Sequence, residues 1–309
     1  MISNNFTFKS GDSTEIFVYY WLPKNEDYYK GVVQIAHGMA EHAGRYDRFA
    51  KFLTENGYIV YANDHRGHGK TAGSVQSLGY LADEDGFQWL VRDMHDLSVI
   101  IKNEYPNLPL FLFGHSMGSF TAQRYMMLYG NEINGVILSG SNGKQGIALK
   151  IGLMIAKWEI KKHGRKKQSN RLDRLIFGGY NKAFKPIRTA SDWLSRDVKE
   201  VDKYIDDPYC GTVFTAGFFY DFLTGLIEIE DKDNISLVPK DLPIYIFSGD
   251  KDPVGKFGKG VIDLYDRYNN HGTIDIKYKL YKDGRHEMLN EINRVKVMND
   301  VVKWVELHI

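Results

Sequence analysis

The sequence has a single cysteine, Cys210, in 309 residues. One thiol excludes an intrachain disulfide and fits a reducing compartment. Net charge is also nearly absent: 40 Lys and Arg against 39 Asp and Glu leave +1, so no global field draws the chain to nucleic acid or to an anionic membrane. No apolar run approaches the roughly 18 residues that span a bilayer; the longest candidate, 147–160, is broken by Lys150, Lys157 and Glu159. The first residues, MISNNFTFKSGD, lack the positive and apolar regions of a secretory signal, and no internal repeat or low-complexity tract is visible. These absences predict a cytoplasmic protein. What is present is ordinary for a globular chain, 43% hydrophobic and 26% charged residues, at a length that buries a substantial core and allows one large or two small domains.

Short apolar runs alternate with amphipathic stretches. The aromatic and β-branched run 15–22 reads as an outer strand, paired through Gly11-Asp12 with 6–9. Runs at 31–37, 58–63, 110–113, 135–139, 242–248 and 274–280 read as further strands. Helices are expected at 46–56, where apolar residues fall at 46, 49, 50 and 53 before Asn56-Gly57, at 86–105 ahead of Pro106, behind residue 116, and at 292–307. Strands and helices in this alternation imply an α/β fold with a mostly parallel, doubly wound sheet. The pattern lapses between about 142 and 238, where helical stretches and loops replace buried strands. Inserted late in such a sheet, this segment is expected to cap the edge beyond the carboxyl ends of the strands, where sites lie. The division is then core 1–142, helical cap 143–237, core 238–309.

The stretch LFLFGHSMGSFTAQ, 110–123, organises the rest. An apolar strand runs into Gly114-His115-Ser116-Met117-Gly118, and Phe120, Thr121, Arg124, Tyr125 and Leu128 follow at helical spacing. Strand, sharp turn and helix is the context in which G-x-S-x-G presents a nucleophile. The turn leaves no room for side chains two residues either side of Ser116, and Gly114 and Gly118 supply that. The Met117 N–H, at a helix N-terminus, can face a developing negative charge.

A serine needs a base, and the base an orienting acid. In this fold they follow in the order nucleophile, acid, histidine. The loop after 242–248 carries Asp250 and Asp252, and the loop after 274–280 carries His286. The second oxyanion donor is expected in the loop His37-Gly38-Met39-Ala40-Glu41-His42, as the Met39 N–H. His163, His271 and His308, in the cap, a turn and the terminal helix, read as surface residues. No metal or cofactor is expected. His37, Glu41 and His42 do not have a zinc spacing, the Gly-rich loop with His65 and His68 lacks a third ligand, and Gly255, Gly258 and Gly260 fit neither a dinucleotide fingerprint nor a P-loop.

Together the motifs HGMAEHAGRY at 37–46, DHRGHGKT at 64–71, GHSMGS at 114–119, SGDKDPVG at 248–255 and GRHEMLNE at 284–291 resemble the α/β-hydrolase family, in its branch of monoacylglycerol lipases and bacterial lysophospholipases, sometimes filed with serine aminopeptidases. The cap stretches DWLSRD at 192–197 and DPYC at 207–210 resemble bacterial members. The resemblance covers essentially the whole chain. It implies that Asp252 is the acid and Asp250 an outer residue, that Glu41 and Arg45 lie near the polar head of a substrate, and that Arg66 ties its loop structurally. Ala40 stands where typical members have glycine, a small change expected to leave the oxyanion hole intact.

In the cap, Ile147, Ile151, Met154, Ile155 and Trp158 share a helical face. That face either packs on the core or forms an acyl-chain wall, with Ile151 and Ile155 on the substrate, or a lip in peripheral contact with a membrane. The stretch 157–174 carries eight basic and two acidic residues, a solvated surface or an attraction to anionic headgroups; without interleaved aromatics it does not suggest nucleic acid. Phe214, Phe218, Phe219, Tyr220 and Phe222 line an apolar pocket or fill the cap's own core. The leading reading is a serine hydrolase acting on a single-chain lipid ester. A peptidase gripping an α-ammonium group through Asp197, Glu200 or Asp202 is the alternative, and a non-catalytic binding protein of the same fold is a third. Nothing in the sequence sets the oligomeric state.

Overall fold

The computed structural model describes residues 1–24 and 29–309. Among these residues eight strands form one sheet: β1 (Ile2–Lys9), β2 (Glu15–Leu22), β3 (Gly31–Ala36), β4 (Tyr58–Asn63), β5 (Leu110–His115), β6 (Gly135–Ser139), β7 (Ile244–Gly249) and β8 (Ile276–Tyr281). Their order is β1-β2-β4-β3-β5-β6-β7-β8. The β1–β2 hairpin joins β4 antiparallel, and every pairing from β4 to β8 is parallel. β3 to β7 are buried along their whole length, which is why they read as continuous apolar runs.

Within those runs the two faces alternate with period two. Val32, Ile59, Leu110, Leu112, Val136, Leu138 and Ile244 point into one core layer; Val33, Ile35, Val60, Phe111, Phe113, Ile137 and Phe247 point into the other. The first layer is closed by α2 (Gly86–Glu104), α3 (Met117–Tyr129) and α9 (Lys259–His271). The second is closed by α1 (Asp47–Glu55) and α10 (Arg294–Glu306). α9 corrects the sequence reading, which left His271 in a turn. Val261, Leu264 and Tyr268 are buried along one side of that helix, but its polar remainder and the glycines at 255, 258 and 260 hide the periodicity. His308 is also corrected. Its ring packs on Trp304 with centroids 4.4 Å apart and bonds Asp275 at 3.1 Å, leaving the side chain 9% exposed.

Between β6 and β7 the described chain is helical: α4 (Ile147–His163), α5 (Asn170–Phe177), α6 (Val198–Asp206), α7 (Ala216–Glu230) and α8 (Lys232–Ile235). Phe218, Phe219, Phe222, Leu223 and Leu226 of α7 join the first core layer, so most of the aromatic run is packing. α4 overturns one reading. The side of α4 that packs inward is Leu149, Gly152 and Ala156, whereas Ile147 and Met154 are 76% and 70% exposed and Ile151 and Trp158 are about half exposed. A leucine, a glycine and an alanine allow close approach to α7, so the bulky residues are left outside.

Arg66 anchors the loop after β4. Buried, it bonds Asp93 at 2.6 Å, Asp12 at 2.5 Å and Ser10 at 2.8 Å, with its plane over Trp89 at 4.5 Å. Removing the cation leaves Asp93 buried and uncompensated, a loss of about 3–5 kcal/mol. Arg66→Ala is therefore expected to lower the unfolding free energy measured in urea by that amount, and an unchanged value would show that the cluster contributes nothing net.

Candidate active site

The turn after β5 is a tight backbone crossing at the sheet's carboxyl edge. Ser116 has φ +51° and ψ −117°, a region that non-glycine residues enter only when their surroundings enforce it. A Cβ on Gly114 would collide with the carbonyl of Gly118, and one on Gly118 with the carbonyl of Ala36. The turn is pinned by the Ser116 N–H, which donates to Ser139 O at 2.9 Å, and by Ser119 Oγ, which donates to Ser116 O at 2.6 Å. The hydroxyl of Ser116 consequently stands at the mouth of the sheet.

The acid and the histidine come from the ends of β7 and β8. Asp252 is fully buried and bonds His286 Nδ1 at 3.0 Å; it also accepts from Ser248 Oγ at 2.6 Å and from the Val254 N–H at 2.9 Å. Burial alone would push its carboxyl up, but the imidazole and the two other donors bring it below the usual carboxylate range. His286 is the converse: burial would lower it, and the charge and hydrogen bond of Asp252 raise it above the ordinary imidazole value. With Nδ1–H donating to Asp252, Nε2 is the basic nitrogen. The ring is held between Trp193, at 5.0 Å between centroids, and His115, at 4.7 Å. Asp250 instead accepts the Asp283 N–H at 2.8 Å and steadies the loop from outside.

Ser116 and His286 line one cavity of about 170 Å³ together with Gly38, Met39, Ala40, Glu41, Asp173, Trp193 and Tyr204. Among the described residues no hydrogen bond takes up the Met39 or Met117 N–H. The peptide before Met39 is locked from both sides. His37 Nδ1–H donates to Gly38 O at 2.7 Å, its Nε2 accepts the His65 N–H at 2.9 Å, and the Gly38 N–H donates to Glu41 Oε1 at 2.6 Å. A Cβ on Gly38 would lie 3.3 Å from Ser116 Cβ, which shows how closely the loop approaches the serine. Ala40 sits at φ +59°, so the residue that replaces glycine carries a small backbone strain.

Glu41 lines this cavity; Arg45 does not. Its guanidinium takes Glu287 in a fork at 2.7 and 2.8 Å and Glu41 at 2.5 Å, so it orders two loops instead of meeting a ligand. Glu287 holds the better share of that cation and drops to about 2, while burial pushes Glu41 up. A second, apolar cavity of about 320 Å³ lies beyond α5, lined by Phe120, Leu149, Ile151, Leu172, Ile176 and Phe222 among others. Ile151 reaches it, but Ile155 does not: it borders an outer groove with Arg171 and Arg174. Asp197, Glu200 and Asp202 pair with Arg294, Arg48 and Arg188 at 2.8, 2.8 and 2.6 Å, and none of them lines the Ser116 cavity. Among the described residues, His42, Asp207 and Cys210 place donor atoms within 4.8 Å of one another; there His42 bonds Asp207 at 2.9 Å, and burial pushes the Cys210 thiol up, keeping it protonated.

Trp193, Ser248, Glu287 and Asp173 were not singled out from sequence. Ser248 and Glu287 lie inside the motifs at 248–255 and 284–291, where a role was open to recognition. Trp193, within the stretch at 192–197, and Asp173 come from the insertion, and only folding brings them to the cavity.

A mostly parallel eight-stranded sheet with a serine on a sharp strand–helix turn, followed along the chain by an aspartate and a histidine at later strand ends, defines an α/β-hydrolase. The chain belongs to the family described as serine aminopeptidase, S33, whose model matches residues 27–293. It is 30% identical over 294 residues to a monoacylglycerol lipase of Mycolicibacterium smegmatis, covering 94% of this chain and 92% of that one. It is 27% identical to the monoglyceride lipase of Mus musculus, over 96% of this chain and 88% of that one. A thermostable carboxyl esterase from Bacillus coagulans, crystallised in complex with glycerol, superposes with a TM-score of 0.92 at 29% identity, covering 100% of this chain and 99% of that chain.

If His286 works as a base, only its neutral form serves. Because its pKa is raised, kcat/KM is expected to climb with pH through a limb above 6.5, and Asp252→Asn should move that limb to lower pH while cutting turnover by about four orders of magnitude. Asp250→Asn should cost less than about tenfold, since an amide oxygen can still accept the Asp283 N–H and the bond between Asp252 and His286 is untouched. Ester hydrolysis measured from pH 5 to 9 for the three proteins decides this, and a larger loss in the Asp250 variant would reverse the assignment of the acid.

Proposed function

We propose that Ser116, His286 and Asp252 form a catalytic triad that hydrolyses monoacylglycerol, with Met39 and Met117 as the oxyanion hole. The observation that carries this reading is the shared cavity: the strained serine and a histidine already bonded to a buried aspartate open into one space, and a larger apolar cavity lies behind α5. The named relatives point to the same ester class. In the reaction, Ser116 Oγ attacks the acyl carbonyl as its proton passes to His286 Nε2. The oxyanion is taken by the two N–H groups, each worth about 10²–10³ in rate. The same histidine returns the proton to the departing glycerol oxygen. Water, deprotonated by His286, then attacks the acyl-enzyme and releases the fatty acid and Ser116.

The insertion supports a division into core 1–142, cap 143–237 and core 238–309. The peptidase reading is not favoured, because its carboxylates are paired with arginines away from the cavity. The acyl chain is assigned to the apolar cavity, where each buried methylene contributes about 0.8 kcal/mol, or about fourfold in kcat/KM when fully expressed. For a monoacylglycerol series, kcat/KM should rise from two to at least eight carbons. Ile151→Asp should flatten that rise and Ile155→Asp should not. A series that is steepest at acetate would leave an esterase and remove the lipase.

No helix among the described residues is long and apolar enough to cross a membrane. The outward side chains of α4, flanked by Lys150, Lys157 and Lys161, support peripheral contact with a lipid surface instead. Ile147→Asp combined with Met154→Asp is expected to reduce co-sedimentation with phospholipid vesicles at least about tenfold; unchanged binding would assign that face elsewhere.

A further inference from the structure

The cavity at Ser116 has an asymmetric charge lining. Glu41, Glu287 and Asp173 contribute carboxyl groups, and among the described residues neither lysine nor arginine lines it. Glu41 and Glu287 are accounted for by Arg45, by Tyr46 Oη at 2.8 Å, by the Gly38 N–H and by Asn290. Asp173 is different. It sits in the first turn of α5, on the wall between the two cavities, since Asp173 and Phe177 face the Ser116 side while Leu172 and Ile176 face the apolar one. Its backbone N–H closes a bond to Ser169 O at 3.1 Å, but among the described residues no cation, hydroxyl or N–H meets its carboxylate. Burial pushes its pKa up, with no opposing cause. Arg171 and Arg174, its neighbours in sequence, border the outer groove instead.

A half-buried carboxylate with no internal partner is costly unless something else solvates it. Here it lines the Ser116 cavity, and with the acyl chain assigned to the apolar cavity that space is left for whatever is esterified to the acyl group. A neutral polyol can offer it a hydroxyl donor. A phosphate cannot: it would meet a carboxylate across a poorly screened gap and would find no guanidinium or ammonium on the cavity wall. We infer that Asp173 is a specificity-determining residue that admits an uncharged hydroxylated leaving group and turns away an anionic one. This deepens the reading of the site as a monoacylglycerol hydrolase and rests on it for the position of the scissile ester. It separates monoacylglycerols from lysophospholipids, two single-chain esters that the core of the site does not distinguish.

The test uses two soluble esters that differ only in charge, monobutyrylglycerol and its 3-phosphate, so the answer does not depend on long-chain preference. The protein should favour the neutral ester in kcat/KM by about tenfold or more, and the ratio should shrink with added salt. Asp173→Asn keeps the shape and removes the charge; it should narrow the ratio chiefly by raising the rate on the phosphate ester. Asp173→Lys should narrow it further or invert it. A structural defect would lower both rates together and leave the ratio where it was. Equal rates on the two esters in the unmodified protein, or a ratio unmoved in both variants, would overturn the inference. Failure of long-chain monoacylglycerols as substrates would overturn the lipase reading alone.

Discussion

Everything at this site depends on two backbones passing closer than side chains allow. Gly118 lies against the carbonyl of Ala36 and Gly114 against that of Gly118. This contact sets α3 directly on the end of β3, and the parallel register that pairs Ala36 with Gly114 carries the following loop, His37 to Glu41, past the serine. The φ of +51° at Ser116 costs about 1–3 kcal/mol. It persists because hydrogen bonds from β6 and from Ser119 leave the turn no relaxed alternative.

Charge burial is the second constraint. The site places Asp252, His286, Glu41, Arg45 and Glu287 out of bulk water, and each is tolerable only through its partners. The result is a set of couplings between loops distant in sequence. Arg45 holds the loop after β3 and the loop of His286 together, and Asp252 sets both the tautomer and the basicity of His286. The insertion is tied into the same network by main-chain bonds: Leu194 O accepts the Glu287 N–H at 2.7 Å, and Ala40 O accepts the Gly211 N–H at 3.0 Å. The insertion is therefore attached beside His286 and at the loop after β3, so its placement and that of Ser116 and His286 are not independent.

The core was largely legible because its elements are locally determined. Buried parallel strands are apolar throughout, the helices of the sheet have clear faces, and the glycines at 114 and 118 announce a turn that nothing else would need. α9 escaped because a helix that buries only one narrow side amid polar residues has a weak period. The insertion was legible as helical but not as to what its faces meet. On α4 the bulky apolar residues looked like the packing face, and the small residues took that place because close helix contact with α7 requires them. Arg45 was expected near a ligand and is instead spent on two carboxylates, one of them 242 residues further along the chain.

The sequence by itself determined the class of the sheet, the position of the turn at Ser116, and the order in which serine, aspartate and histidine arrive at strand ends. These follow from periodicity, from glycine's missing Cβ and from chain order, all of which are local properties. Only the tertiary structure decided that Arg45 is consumed within the wall, that Ile151 and not Ile155 borders the apolar cavity, and that Asp173 faces the serine with no partner among the described residues. Each of those is a question of which distant groups share a volume and what compensates their charge, and a linear pattern carries no information about that until the chain has closed on itself.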